Sequence, residues 1–171
     1  MRIVAGTFAG RVLTSPNDQR VRPTAELVRA GLMDALAADL LKASVLDLFA
    51  GTGALGLEAI SRGARQADFV EFQPASLHAL KANVAALKLN KRTRIFKRDA
   101  IPFVEALAAD SYDIAFADPP YESKVLDRVL KCWRASGFAR TLAVEHARSH
   151  GVPQGAKRLV FEDTVVTIYR R

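Results

Sequence analysis

Short apolar runs alternate with stretches of helical spacing from residue 45 to the end of the chain. The apolar runs predict seven strands, at residues 45–49, 67–71, 93–97, 112–117, 141–146, 157–161 and 164–169. Helical spacing predicts helices between the first five strands, at residues 54–62, 74–89, 101–109 and 124–135. Strands that alternate with helices form βαβ units, so we expect an α/β fold with a mostly parallel sheet covered on both faces. Only Glu162 and Asp163 separate the last two runs, which predicts an antiparallel hairpin at one edge.

The first 23 residues differ from the rest because arginines stand there among glycines and prolines. This composition predicts a small N-terminal arm or hairpin over residues 1–23, ahead of a single domain over residues 24–171. A helix then begins, with Thr24 as its predicted N-cap and an apolar stripe that runs from Val28 to Leu40.

Composition and charge narrow the classes of function. The chain has 171 residues, of which 50% are hydrophobic and 25% charged, and this is typical of one folded domain with a substantial core. Its formal net charge of +7 favours a polyanionic partner such as nucleic acid, or else an anionic membrane surface. A single cysteine, Cys132, excludes an internal disulfide and a cysteine-based metal cluster. No apolar run approaches the ~20 residues of a membrane span. We therefore expect a cytoplasmic protein without a metal site.

A glycine-rich loop follows the first predicted strand. Gly51, Gly53 and Gly56 have the spacing of a dinucleotide-binding loop, and Glu71 ends the next strand about 20 residues later. A nicotinamide or flavin dinucleotide and S-adenosylmethionine both fit this pattern, because Glu71 can bind the ribose diol of either. Asp47, near the mouth of the loop, favours S-adenosylmethionine, since a carboxylate repels a pyrophosphate and attracts an ammonium and a sulfonium.

The acidic end of the third predicted strand adds to this site. Asp99, followed by Ala100, could accept a hydrogen bond from the exocyclic amine of an adenine, or could cap the helix that starts nearby. We therefore predict that the cofactor S-adenosyl-L-methionine contacts Asp47, Ala50, Gly51, Thr52, Gly53, Glu71, Phe72, Asp99 and Ala100.

The fourth predicted strand ends in Asp118, Pro119, Pro120 and Tyr121. The two prolines lack backbone donors and fix φ, so the loop is stiff and its carbonyls stay available. Asp118 and the Pro119 carbonyl would then accept the two hydrogens of an exocyclic base amine, while Tyr121 stacks on the ring. Such acceptors stabilise the charge that builds on nitrogen during methyl transfer. We predict these four residues as the catalytic set, acting on a flipped or unpaired base.

Several motifs together resemble the RsmD family. They are residues 2–6, Arg22-Pro-Thr24 with Val28-Arg29, residues 45–59, Ser61-Arg-Gly-Ala64, Asp118-Pro-Pro-Tyr121, Val144-Glu-His146 and Asp163-Thr164. The resemblance runs over nearly the whole chain, and the motifs stand in the family's order. It implies a Rossmann-like class I methyltransferase domain that uses S-adenosylmethionine. It also implies transfer of a methyl group to N2 of guanine 966 in 16S ribosomal RNA.

An RNA substrate agrees with the basic character of the N-terminal region. We predict phosphate contacts beside the active site from Arg2, Arg11, Arg20, Arg22 and Arg29. The partner would be 16S rRNA, a small ribosomal subunit or an assembly intermediate, bound by a monomer. Three alternatives stay open: a DNA adenine-N6 methyltransferase, a dehydrogenase, and a non-catalytic RNA-binding assembly factor with the same fold.

Overall fold

The computed structural model describes residues 1–16, 23–120 and 124–171, and the side chains of residues 23–25 lie outside this description. Its helices are α1 (Pro23–Ala35), α2 (Ala37–Leu40), α3 (Ala54–Ser61), α4 (Pro74–Ala86), α5 (Ala100–Glu105) and α6 (Val125–Ser136). Its strands are β1 (Ser44–Leu48), β2 (Gln66–Glu71), β3 (Thr93–Lys97), β4 (Tyr112–Ala117), β5 (Ala139–Ala147), β6 (Lys157–Phe161) and β7 (Thr164–Arg170).

The strands form one sheet in the order β3-β2-β1-β4-β5-β7-β6. Strands β1 to β5 are parallel, whereas β7 runs antiparallel to both β5 and β6. The direction of strand order reverses between β1 and β4, and ligands of such sheets bind at the carboxyl ends beside this switch point. The predicted fold class, the parallel part of the sheet and the C-terminal hairpin are confirmed.

The helices predicted at residues 74–89 and 101–109 end earlier than their helical spacing indicates. Helix α4 ends at Ala86 because Lys88 takes a left-handed conformation, with a φ of 57°. Helix α5 ends at Glu105, where the backbone N–H groups of the next two residues bond to carbonyls three residues back. Both chain turns bring the following strand back to the sheet after a shorter helix.

Side chains on the two faces of the sheet form two hydrophobic clusters. Val45 and Phe69 of the central strands pack in one cluster with residues of α1, α3 and α4. Leu46 and Val70 pack in the other with residues of α5 and α6. Because side chains alternate along a strand, Asp47 lies on the same face as Val45, beneath α3. Among the helices of the described ranges, none has the length and apolar character needed to cross a bilayer.

The N-terminal arm closes on itself and packs against α3. Arg2 and Val12 form an antiparallel bridge, and Ile3 and Leu13 are buried in the core of the domain. Glu58 of α3, itself fully buried, accepts hydrogen bonds from the backbone N–H groups of residues 4 and 5, at 2.8 and 2.9 Å. The arm is therefore fixed to the helix that follows the glycine loop.

Candidate active site

Two adjoining cavities open at the carboxyl edge of the sheet, beside the switch point between β1 and β4. The larger has a volume of about 510 Å³ and the smaller about 260 Å³. Phe49, Asp118 and Glu145, which lie at the ends of three central strands, line both cavities. Glu71 lines the larger cavity and Asp47 the smaller one, so Asp47, Glu71 and Asp118 meet at one edge, whereas Asp99 lines neither cavity.

The glycine loop folds tightly between β1 and α3. Gly53 precedes the first turn of α3 with a φ of 81°, a left-handed conformation that favours glycine. Gly56 allows α3 to approach the sheet closely, because a Cβ there would lie 2.5 Å from the ring of Phe69. The loop residues that line the smaller cavity are Ala50, Gly51 and Thr52, all of them in the predicted cofactor set.

Asp47 lies buried beneath this loop, at 1% exposure. Its Oδ2 accepts a hydrogen bond from the backbone N–H of Gly56 at 2.9 Å. Burial raises the pKa of Asp47 to about 8; the Gly56 hydrogen bond opposes this rise, and the negative charge of Glu71 adds to it. A nearby cation would stabilise the ionised carboxylate, so the smaller cavity suits an ammonium group electrostatically.

Three backbone N–H groups orient the carboxylate of Glu71. Its Oε2 accepts from Gly51 at 2.9 Å, and its Oε1 accepts from Phe72 and Gln73, both at 2.7 Å. Each carboxylate oxygen has two lone pairs, so Glu71 retains acceptor capacity toward a ligand in the larger cavity. Phe72 lines the same cavity with 52% of its surface exposed, which leaves its ring open to contact with a ligand.

Asp99 caps helix α5, which is one of the two roles predicted for it from the sequence. Its Oδ1 accepts a hydrogen bond from the backbone N–H of Ile101 at 2.9 Å, at the start of α5. The Asp99 side chain is exposed, whereas its neighbours Arg98 and Ala100 line the larger cavity. This cap uses one of the two carboxylate oxygens, and the other keeps its capacity to accept from a base amine.

The Asp-Pro-Pro motif leaves β4 at the junction of the two cavities. Asp118 is half-buried, Pro119 is buried and Pro120 is exposed, and all three line the larger cavity. The arrangement places the Asp118 carboxylate and the backbone of Pro119 beside the space that a planar base would need. Tyr121, the fourth predicted catalytic residue, lies outside the described residues.

Carboxylates accumulate at this junction. Burial, and then the negative charges of Glu145 and Asp47, raise the pKa of Asp118 well above its usual value. Glu145 is not in the predicted catalytic set, although its place near the carboxyl end of β5 puts it at the same edge as Asp118. Among the described residues, no three His, Cys, Asp or Glu side chains are grouped so that they could hold a metal ion. The carboxylates at the junction can accept hydrogen bonds from an organic cation or from base N–H donors.

Phe49 is a further cavity residue that the sequence pattern does not reveal. The first strand was expected to include it, but β1 ends at Leu48 and Phe49 takes a left-handed conformation, with a φ of 59°. Such a φ is rare for an aromatic residue and is typical of strained positions at functional sites. The turn directs the chain away from the sheet at the point where the ring of Phe49 lines both cavities.

The predicted RNA-binding arginines have different surroundings. Arg2 is exposed, and its Nε lies 3.4 Å from Glu26 Oε2. Arg11 is also exposed, and its Nη2 donates to the carbonyl of Ala86 at 3.1 Å. Both guanidinium groups thus remain open to solvent. Arg20 and Arg22 lie outside the described residues.

The structure corrects the expectation for Arg29, which is only 3% exposed. Its Nε donates to Glu58 Oε2 at 3.3 Å, and its Nη2 donates to the carbonyl of Arg2 at 2.6 Å. Arg29 therefore joins the arm to α3 and lines the smaller cavity from inside, so it does not offer a solvent-facing charge to phosphate.

Comparison with known proteins agrees with this geometry. The family described as Conserved hypothetical protein 95 matches residues 1–162. The chain is 35% identical to Ribosomal RNA small subunit methyltransferase D of Escherichia coli strain K12 over 156 residues, which cover 90% of this chain and 78% of that protein.

Solved structures show the same relationship. The Escherichia coli protein yhhF, described as a candidate methyltransferase, superposes with a TM-score of 0.87 at 32% identity and covers 100% of this chain and 97% of that chain. The fold is shared with the T. thermophilus 16S rRNA N2 methyltransferase RsmC, solved with S-adenosylmethionine and guanosine, at a TM-score of 0.72 and 22% identity over 91% of this chain and 44% of that chain. The chain therefore belongs to the Conserved hypothetical protein 95 family, which is the RsmD family that its motifs resemble, and it has the fold of the S-adenosylmethionine-dependent methyltransferases.

Proposed function

We propose that this protein transfers a methyl group from S-adenosylmethionine to N2 of a guanine in small-subunit ribosomal RNA, with guanine 966 of 16S rRNA as the expected target. The names of its relatives support the RNA and the reaction. The observation that carries the proposal is the junction of the two cavities, where Asp118 of the Asp-Pro-Pro motif lines both the smaller cavity beside Asp47 and the larger cavity beside Glu71.

S-adenosylmethionine fits the cavities through its charge and its hydroxyl groups. Asp47 would bind the ammonium group, and the oriented carboxylate of Glu71 would accept from the ribose diol. Phe72 and Ala100 line the part of the larger cavity that would receive the adenine. A dinucleotide fits less well, because its pyrophosphate offers no cation to the carboxyl of Asp47 and would be repelled by the ionised form of that group.

When bound, S-adenosylmethionine would supply an electrophilic methyl group; the base amine would bond to the methyl carbon as the S–CH3 bond breaks, and S-adenosylhomocysteine would leave. Asp118 and the Pro119 carbonyl would accept the hydrogens of that amine and stabilise the positive charge that develops on nitrogen. The raised pKa of Asp118 suits it to accept the proton that the methylated nitrogen loses. The proposal also gives Tyr121 the role of stacking on the base, on the basis of the sequence motif.

The RNA would approach across the N-terminal arm. Met1 lines the smaller cavity, so the exposed guanidinium of the next residue, Arg2, stands close to the site. Arg11 adds a second exposed charge on the arm. A ribosomal substrate also agrees with a cytoplasmic protein, which is the location we propose.

Methyl transfer from tritiated S-adenosylmethionine to unmethylated small ribosomal subunits tests this function, with mass spectrometry to locate the product. We expect 2-methylguanine in 16S rRNA. Asp118→Ala should lower the turnover rate about 10²–10³-fold, because it removes one oriented electrostatic partner of the transition state. Binding of S-adenosylmethionine, measured by calorimetry, should persist in this variant.

Asp127→Ala is the matched control, since Asp127 lies exposed on α6 and does not line either cavity of the site. It should retain the activity of the wild type. Near-normal turnover of Asp118→Ala would mean that the Asp-Pro-Pro loop is only a rigid turn. A wild-type protein that binds the cofactor and methylates no ribosomal guanine would contradict the proposed substrate.

A further inference from the structure

Asp118 and Glu145 lie side by side at the carboxyl edge of the sheet, Asp118 just after β4 and Glu145 near the end of β5. Strands β4 and β5 are parallel, and Ala117 pairs with Val144, so Asp118 and Glu145 are the next residues in the same register. Neighbouring strands lie about 4.8 Å apart. Both residues line both cavities, and the charge of Glu145 is among the causes that raise the pKa of Asp118. A base amine held at Asp118 therefore presents its neighbouring ring atoms to Glu145.

The ring atom next to the reactive amine distinguishes the two candidate bases. In guanine, the N2 amine is followed on the Watson–Crick edge by N1–H, which is a hydrogen-bond donor. In adenine, the N6 amine is followed by N1, which is an acceptor. An ionised carboxylate can only accept hydrogen bonds, so it matches guanine and repels the N1 lone pair of adenine.

We propose that Glu145 determines specificity for guanine by accepting a hydrogen bond from guanine N1–H while Asp118 holds the adjacent N2 amine. The inference rests on the proposed function and adds to it the residue that excludes adenine. Flipped bases are commonly identified through their Watson–Crick edge in this way. A site built to accept a hydrogen bond from a particular N–H group strongly rejects an analogue without that group, because the acceptor of the site is then left without a partner.

2-Aminopurine provides the test, because it keeps the 2-amino group of guanine but has an acceptor at N1. Small subunits are reconstituted with 16S rRNA in which the target guanine is replaced by 2-aminopurine. The wild type should prefer guanine over 2-aminopurine by about 10³-fold or more in kcat/KM, within the range seen for a missing hydrogen-bonding group. Glu145→Gln can turn its amide N–H toward N1 of 2-aminopurine, and its preference for guanine should fall on the order of 10²-fold.

The fluorescence of 2-aminopurine gives a second readout that does not depend on turnover. With S-adenosylhomocysteine bound in place of the cofactor, RNA carrying 2-aminopurine should bind more tightly to Glu145→Gln than to the wild type. The matched control is Glu105→Gln, because Glu105 is an exposed glutamate at the end of α5, outside both cavities. It should keep the wild-type preference in both measurements.

The outcomes separate this inference from the proposed function. If the wild type methylates 2-aminopurine as well as guanine, Glu145 does not read N1, and this result needs no variant to fold. If Glu145→Gln methylates guanine and keeps the full preference of the wild type, the inference is also wrong. If the wild type methylates no ribosomal guanine, the proposed function itself has failed. A fall in preference confined to Glu145→Gln supports the inference.

Discussion

At the scale of single residues, the raised pKa of Asp47 makes the stability of the free protein depend on pH, and the same carboxyl is proposed to bind the cationic ligand. Its pKa is about 8 in the folded chain, against 3.8 for an ordinary aspartate. Between these values the folded state holds a proton that the unfolded state has lost, so the free energy of unfolding falls as pH rises from about 4 to 8. Asp47→Asn should therefore melt at a higher temperature than the wild type at about pH 8, yet bind S-adenosylmethionine about 10–100-fold more weakly. Thermal melts and isothermal titration calorimetry measure the two effects.

Asp113 is a control with the opposite sign. The hydrogen bond from the Ser44 backbone N–H, at 2.8 Å, is the largest cause that lowers the pKa of Asp113. Its stabilising contribution is present above the unfolded pKa and is lost as pH falls through the lower folded value. Asp113→Asn should thus lower the melting temperature at about pH 8 and leave cofactor affinity unchanged. Melting temperatures that shift in the same direction in both variants would contradict the role given to Asp47.

Residue roles can be predicted from the sequence where position and charge decide them. Asp47 and Glu71 stand at the ends of recognisable strands, so the pattern alone brings them to the carboxyl edge. Arg29 shows the limit, because its partner is Glu58, 29 residues further along the chain. Only the packing of the arm and α1 against α3 brings these two charges together, and a tertiary contact of this kind leaves no local signal. The sequence therefore assigns to phosphate a guanidinium that the fold uses internally.

At the scale of elements, Asn83 of α4 joins the arm to the glycine loop. This asparagine is 2% exposed. Its Oδ1 accepts from the N–H of Thr14 at 2.7 Å, and its Nδ2 donates to the carbonyls of Thr14 and Thr52, both at 2.9 Å. Asn83→Ala would leave these buried backbone groups unmatched, and we expect a loss of about 2–4 kcal/mol in the free energy of unfolding. Urea unfolding measures this loss.

The same contacts predict an effect on the cofactor. Thr52 lines the smaller cavity, so release of its carbonyl should loosen the loop and weaken binding of S-adenosylmethionine. Asn83→Asp keeps the acceptor for Thr14 N–H but sets a buried carboxylate against the carbonyls of Thr14 and Thr52, so it should show the loss of cofactor affinity together with a loss of stability. Asn90→Ala, at an exposed position after α4, should change neither property. Unchanged affinity in Asn83→Asp would show that the link between arm and loop is purely structural.

The strands of the sheet are predicted more accurately than the ends of its helices. Parallel strands appear in the sequence as apolar runs with charged or turn residues at their ends, and two of them, β3 and β4, have the predicted bounds. Helix ends depend on a few backbone conformations instead. Lys88 and Phe49 adopt left-handed φ values although neither is glycine, so the residue type at these positions does not predict a turn. The burial of Ile3 and Leu13 is also hard to predict from the sequence, because it depends on the packing of the arm against α3, which is distant along the chain.

At the scale of the whole molecule, the net charge of +7 overstates the surface available to RNA. Arg94 bonds through Nε and Nη2 to the buried Asp68 of the neighbouring strand, and Arg92 donates to the carbonyls of residues 64 and 65. Strand β3, which carries Arg94, is an edge of the sheet, and charged side chains there protect the edge from pairing with another chain. Residues 88–98 hold six lysines and arginines, and part of this basic run is thus structural. Arg98 lines the larger cavity, and the arm adds exposed arginines beside the smaller one.

Two arginines with similar surroundings allow this assignment to be tested. Arg2 and Arg128 have 66% and 60% exposed side chains, and each lies near one glutamate, at 3.4 and 3.6 Å. Arg2 stands beside the cavity lined by Met1, whereas Arg128 lies on α6, which packs on the other face of the sheet.

Each phosphate contact releases counterions, so Arg2→Gln should flatten the dependence of log Kd on log salt concentration by a little under one unit. Arg128→Gln removes the same charge from the molecule and should leave the slope unchanged, because a change in net charge alone forms or breaks no contact. Filter binding of 16S rRNA over a range of KCl concentrations measures both slopes. Equal slopes for the two variants would mean that RNA is held by the general field of the protein, with no specific contact from the arm.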